Sequence, residues 1–138
     1  MTTADIIEVT FPGGKKVDAK VNQFLIRTDQ SVKVGGDGSA PEPFSLFLAS
    51  IATCAGIFAI GFCQSRNIDT NGLGLKMVCN WDNIRKLYTN ISLQFTLPVE
   101  FPEKYKDSLI KAVDLCTVKR HLMEAPNFEI VILNPSTQ

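Results

Sequence analysis

The stretch PFSLFLASIATCAGIFAIGFCQS, Pro43 to Ser65, carries no charged side chain and has Cys54 at its centre. Roughly 20 apolar residues suffice to cross a bilayer, so its length alone admits a membrane span. Its composition points elsewhere. Ser45, Ser50, Thr53, Gly56, Gly61 and Gln64 dilute it, and Arg66 is the only anchoring residue beside it. The stretch therefore reads as a long helix buried inside a protein. Pro43 suits the first helical turn, and Asn67 with the turn residues beyond closes the other end. A helix apolar on every side needs cover on every side.

Upstream, Ile6–Phe11 and Val17–Val21 alternate in period two around Pro12, Gly13 and Gly14, which predicts a hairpin. Phe24–Thr28 reads as a third short strand, completing a β-meander. The segment Gly35–Pro43 is rich in glycine and proline and reads as a loop into the helix. Downstream, Leu73, Leu75, Met77, Cys79 and Trp81 alternate with polar neighbours, answered by Ile91, Leu93, Phe95 and Leu97. That predicts an antiparallel hairpin with one buried face. Pro102 opens a helix whose stripe is Tyr105, Leu109, Val113 and Cys116. A short helix over Thr117–Met123 comes next, stopped by Pro126, and Phe128–Leu133 reads as a last strand. The fold class is α+β, with residues 1–138 as one domain.

Composition narrows the function. The 14 basic and 14 acidic residues cancel, and no charge run marks a nucleic-acid or membrane surface. The first residues, from Met1 to Glu8, have neither the basic nor the apolar region of a secretory signal. A cytoplasmic location is expected, where the four cysteines would not form a disulfide scaffold.

No two cysteines lie two to four residues apart, and His121 is the only histidine, so neither a structural zinc site nor a Cys–His pair assembles. His121 reads as an exposed helix residue and Trp81 as core. The glycines at 35, 36 and 38 lack the Lys-Ser/Thr ending of a phosphate loop. Nine residues at about 100° each place Cys63 opposite Cys54 on the helix. Cys63 and Cys79 read as small core residues. Cys54 has two open readings, inert packing or one half of a redox couple. Cys116 stands at a helix start beside Lys119 and Arg120, where amides and cations are expected to lower a thiol pKa.

The order of features resembles the OsmC/Ohr family, osmotically inducible protein C and organic hydroperoxide resistance protein. The most specific pieces are Pro41–Cys54, with its Ala52-Thr53-Cys54-Ala55, and Cys116–Leu122, with Cys116-Thr117-Val118 before Arg120 and Leu122. The resemblance implies an intertwined homodimer and a metal-free peroxidase that needs no cofactor. Cys54 would be the peroxidatic thiolate, attacking an organic hydroperoxide to become a sulfenic acid. Cys116 would resolve it as a disulfide, and a thiol or dithiol reductant would restore both. Oxidative or osmotic stress defence is the implied role.

One element of that pattern is missing. Family peroxidases activate the thiolate with an N-terminal arginine held by a glutamate at the start of the long helix. Ten residues before Cys54, where the glutamate would stand, this chain has Phe44; Glu42 is offset by two. Arg27 is the only arginine before the helix and the candidate activator. Cys54 is mid-helix, so the amides of its own helix cannot supply the stabilisation, and burial opposes it. The departure marks a divergent branch and keeps a second expectation open: a non-peroxidatic protein that binds a hydrophobic small molecule in its dimer cleft.

Overall fold

The computed structural model describes residues 4–135. Met1 to Thr3, part of the stretch read above for a secretory signal, lie outside the described residues. The chain falls into two compact units, Met1–Ser50 and Ile51–Gln138.

The first unit is built on an antiparallel sheet of β1 (Glu8–Gly13), β2 (Lys16–Val21) and β3 (Phe24–Thr28), in that order. The expected meander is present. Its first turn lies at Gly14-Lys15, and a register shift between Thr10 and Gly13 absorbs Phe11 and Pro12. Pro12 has no amide to give the ladder, which is why the strand bulges there. Every residue of β1 is exposed.

Buried polarity, not an apolar core, organises the loop after β3. Thr28 and Asp29 are the buried residues of this unit, and Asp29 has no solvent-accessible surface. Its carboxylate accepts the Gln30 amide at 2.7 Å, the Ser39 amide at 3.0 Å, the Ser39 hydroxyl at 2.7 Å and the Asp37 amide at 3.3 Å. The glycine-rich loop is thus wound around one anion. Gly36 is required there, since a Cβ would lie 2.0 Å from the Gln30 carbonyl oxygen. The Glu42 carboxylate accepts the Ser31 amide at 3.2 Å, so it too serves the loop.

Helix α1 spans Pro43–Ser65, as the uncharged stretch predicts. Asn67, at φ 53, takes the left-handed conformation that ends it. By length and composition α1 could cross a membrane. Its buried residues are Ile51, Ala55, Ala59, Phe62 and Cys63, a single stripe; Phe44, Ile57 and Ile60 are exposed. Within one chain α1 is thus covered along one stripe, and its remaining apolar side chains still need cover.

In the second unit the stripe meets Phe101, Leu109 and Val113 to form the core. Leu109 and Val113 belong to α2 (Lys106–Asp114), entered through a 3-10 turn at Glu103–Tyr105. The hairpin of β4 (Gly74–Asp82) and β5 (Leu87–Thr96) pairs Leu75 with Phe95, Met77 with Leu93 and Cys79 with Ile91, as the alternation predicts. The register slips after Asn80, which turns Trp81 outward against Tyr88. Trp81 is 48% exposed, not core. Helix α3 spans Thr117–Met123. The last strand expected over Phe128–Leu133 does not form: these residues have no ladder partner among the described residues, and Phe128, Ile130 and Ile132 are almost fully exposed.

Candidate active site

Cys54 and Cys116 come together. Cys54 sits half-buried in the middle of α1, on a different side from the fully buried Cys63. Cys116 is the N-cap residue of α3, extended at φ −56 and ψ 138, and only 2% exposed. Its sulfur accepts the Lys119 amide at 3.4 Å. The Cys116 thiol and the backbone amides of Thr117 and Val118 are the groups that bear on the Cys54 sulfur. All four cysteines are unbridged.

This arrangement reverses which thiol is the more acidic. Burial pushes the Cys54 thiol up, but the Val118 amide, the Cys116 thiol and the Thr117 amide together hold it below the ordinary value. Burial pushes Cys116 up; the Lys119 and Val118 amides oppose this, while the hydrogen bond and charge of Cys54 add to the rise. The depression expected at Cys116 is thus corrected. The amides at the start of α3 are shared, and those of Thr117 and Val118 act on the neighbouring sulfur. Cys54 cannot use the ends of its own helix, but it uses donors from another. The sequence held the signal, a cysteine opening a short helix, without showing which sulfur the amides reach.

The ammonium group of Lys119, beside Cys116, has another duty. Lys119 pairs with Asp114 through its ammonium group and reaches Cys116 only by its amide. Arg27, the candidate activator, is cross-strand from Asp18 and lines a cavity of the first unit with Lys16, Thr28 and Ser39. His121 is exposed, with Nδ1 2.7 Å from the Thr117 carbonyl oxygen. Cys63 is a core thiol pushed up by burial, with Arg66 opposing. Among the described residues no group of three or more His, Cys, Asp or Glu could hold a metal ion.

A cavity of about 340 Å³, not foreseen from the sequence, opens beside Cys116. Ile51, Ile91, Leu93, Phe95, Ile110, Val113 and Leu122 line it, with Asp114 and Lys119 as its charged residues.

An OsmC-like protein family model matches residues 36–131, which include both thiols and the elements that carry them. The chain belongs to the OsmC-like family. Among solved structures, this OsmC-like chain is similar to a Psychrobacter arcticus 273-4 protein described as an osmotic stress induced and detoxification response protein. The two share 20% identity at a TM-score of 0.72, over 87% of this chain and 89% of that one. An OsmC-like protein from Mycoplasma pneumoniae matches at 17% identity and a TM-score of 0.70, over 91% of both chains. An organic hydroperoxide resistance protein OsmC from Legionella pneumophila, also described as a redox protein, matches at 14% identity and 0.59, over 88% and 90%. These likenesses support the α+β fold. A search of curated proteins returns no match.

Proposed function

We propose that this OsmC-like protein reduces organic hydroperoxides by a two-cysteine mechanism, within a general redox and stress-response role. The observation that carries the reading is the approach of the buried Cys116, N-cap of α3, to the half-buried Cys54 of α1, with amides of α3 and Cys116 holding the Cys54 thiol below its ordinary value while burial pushes Cys116 up. A thiolate is the nucleophile in such chemistry, and a second thiol in contact converts the sulfenic acid into a disulfide before further oxidation. A thiol or dithiol reductant completes the cycle. The solved relatives described in stress and hydroperoxide terms support the same reading.

The protein acts in this reading as a cytoplasmic homodimer, with no nucleic acid or membrane partner. The uncovered apolar side chains of α1, Ile57 at 62% and Ile60 at 38% exposure among them, favour a second copy as their cover. The cavity beside Cys116 favours a second function, retention of a hydrophobic small molecule without turnover. One experiment separates the two. Cumene or tert-butyl hydroperoxide is added to reduced protein, and peroxide and thiols are counted. The redox reading expects one peroxide consumed for two thiols lost, abolished by Cys54→Ser. A rate no greater than that of free thiol, together with a co-purifying apolar ligand, overturns it in favour of the binding reading.

A further inference from the structure

The connection from α1 to β4 ends in Asp69-Thr70-Asn71-Gly72-Leu73, a segment the thiol chemistry does not use. The Leu73 amide closes a turn on the Thr70 carbonyl at 2.9 Å, and the Asn71 amide is held by the Asp69 carboxylate at 2.9 Å. Gly72 stands at φ 89, in the third position of that turn, where a positive φ favours glycine. Its amide donates to no group among the described residues. Asn71 is exposed, and it is the one asparagine of the chain that glycine follows.

We propose that Asn71 is a site of spontaneous deamidation: the Gly72 amide nitrogen displaces ammonia from the Asn71 side chain, and water leaves aspartate or isoaspartate in the turn. The chemistry is independent of the redox reading above. A side-chain amide is attacked by the next main-chain nitrogen when that nitrogen is unhindered and can lose its proton to solvent. Glycine puts no β-carbon beside the attacking atom, and a nitrogen without an acceptor is free to turn. Asn67 and Asn83, also in turns, lack both conditions. Ile68 follows Asn67, and its amide donates to the Cys63 carbonyl at 2.9 Å. Ile84 follows Asn83, and its amide donates to the Asp82 carboxylate at 2.8 Å. Asp37-Gly38 offers the same glycine, but the Gly38 amide donates to the Gln30 carbonyl at 3.0 Å and the Asp37 carboxylate pairs with Lys16.

Nothing is oxidised or reduced, and water is the only co-reactant. The Gly72 nitrogen gives its proton to water or hydroxide and bonds to Asn71 Cγ. The Cγ–Nδ2 bond breaks, and the departing group takes a proton from water and leaves as ammonia. Water then opens the cyclic imide. Opening at Cγ gives aspartate. Opening at the main-chain carbonyl gives isoaspartate, whose backbone runs through Cγ and is longer by one carbon. Either product adds one negative charge to a chain whose formal net charge is zero. Asn71 lines a cavity of about 640 Å³ together with Asp69, Glu100 and Arg66. A third carboxylate therefore joins that lining, where Arg66 is the single basic residue among those described.

The full chain is incubated in heavy-oxygen water at neutral and at mildly alkaline pH, and sampled over weeks by isoelectric focusing and peptide mass spectrometry. A more acidic species is expected, with aspartate and isoaspartate at position 71 carrying heavy oxygen, and it should form faster at the higher pH. Gly72→Ala should slow the conversion severalfold. Asn71→Gln, whose longer side chain closes a ring far less readily, should lose it. In the urea-unfolded chain isoaspartate is expected at position 37 as well, because the Gly38 amide is then released. No conversion at Asn71 in the folded chain overturns the proposal, as does an equal folded-state rate at Asn83 or Asp37. An unchanged rate in Gly72→Ala removes the cyclic intermediate and overturns it too. Should strain at φ 89 keep Gly72→Ala from folding, Asn71→Gln and the comparison with Asn83 decide.

Discussion

Asp29 holds Ser39 twice, one carboxylate oxygen taking both its hydroxyl at 2.7 Å and its amide at 3.0 Å. Ser39 and its amide, with the Gln30 amide, bring the Asp29 carboxyl from 3.8 down to about 2, against the effect of burial. A carboxyl more acidic in the folded chain than in the unfolded one stabilises the fold fully above the unfolded pKa. That contribution is lost as pH falls through the folded pKa. Urea unfolding of the wild type should therefore weaken between about pH 4 and pH 2, and Asp29→Asn should remove this part of the acid sensitivity while lowering stability at neutral pH. An unaltered acid profile in the variant contradicts the assignment.

Gly36→Ala places a methyl group 2.0 Å from a backbone oxygen, which no rotamer change can relieve. Overpacking of a tight site costs about 1–3 kcal/mol, and main-chain movement puts this substitution at the upper end. Chemical denaturation should register the loss. A neutral result would show that the loop shifts freely.

Leu109 is 2% exposed and joins the α1 stripe in the core. Leu109→Ala should cost about 2–5 kcal/mol, the range for buried leucines that leave a cavity. The measurement is a shift in the denaturation midpoint at constant slope.

Cys79 is half-buried on β4, opposite Ile91, and takes no part in the thiol pair. Cys79→Ala should leave hydroperoxide consumption and the loss of two thiols per turnover unchanged. A halved thiol loss would assign Cys79 a redox role.

Sedimentation velocity should give a dimer for the wild type. Replacing the exposed Ile57 by Glu puts a charge on the uncovered face of α1 and should shift the protein to monomer. A wild-type monomer removes the homodimer from the proposed function.

Much of this was legible from residue order. The absence of charge from Pro43 to Ser65 and the closing Asn67 fixed α1, and period two fixed the β4–β5 pairing. What failed depended on neighbours. Phe128–Leu133 has strand composition, but a strand requires a ladder partner, and residue pattern cannot supply one. The face of α1 that is buried depends on where α2 packs. Which sulfur ionises depends on where the α3 amides point, and Thr117 and Val118 act through main-chain groups that every residue type but proline possesses. That signal has no side-chain signature to read.

The groups that depress Cys54 are two amides and a thiol, none with a net charge. Dipoles in contact leave dissolved ions little to screen, unlike a guanidinium acting across several ångströms. The Cys54 thiol should therefore keep its reactivity from dilute buffer to concentrated brine. Its alkylation rate, followed against added sodium chloride at fixed pH, should stay flat; a marked decline would reveal a distant cation at work.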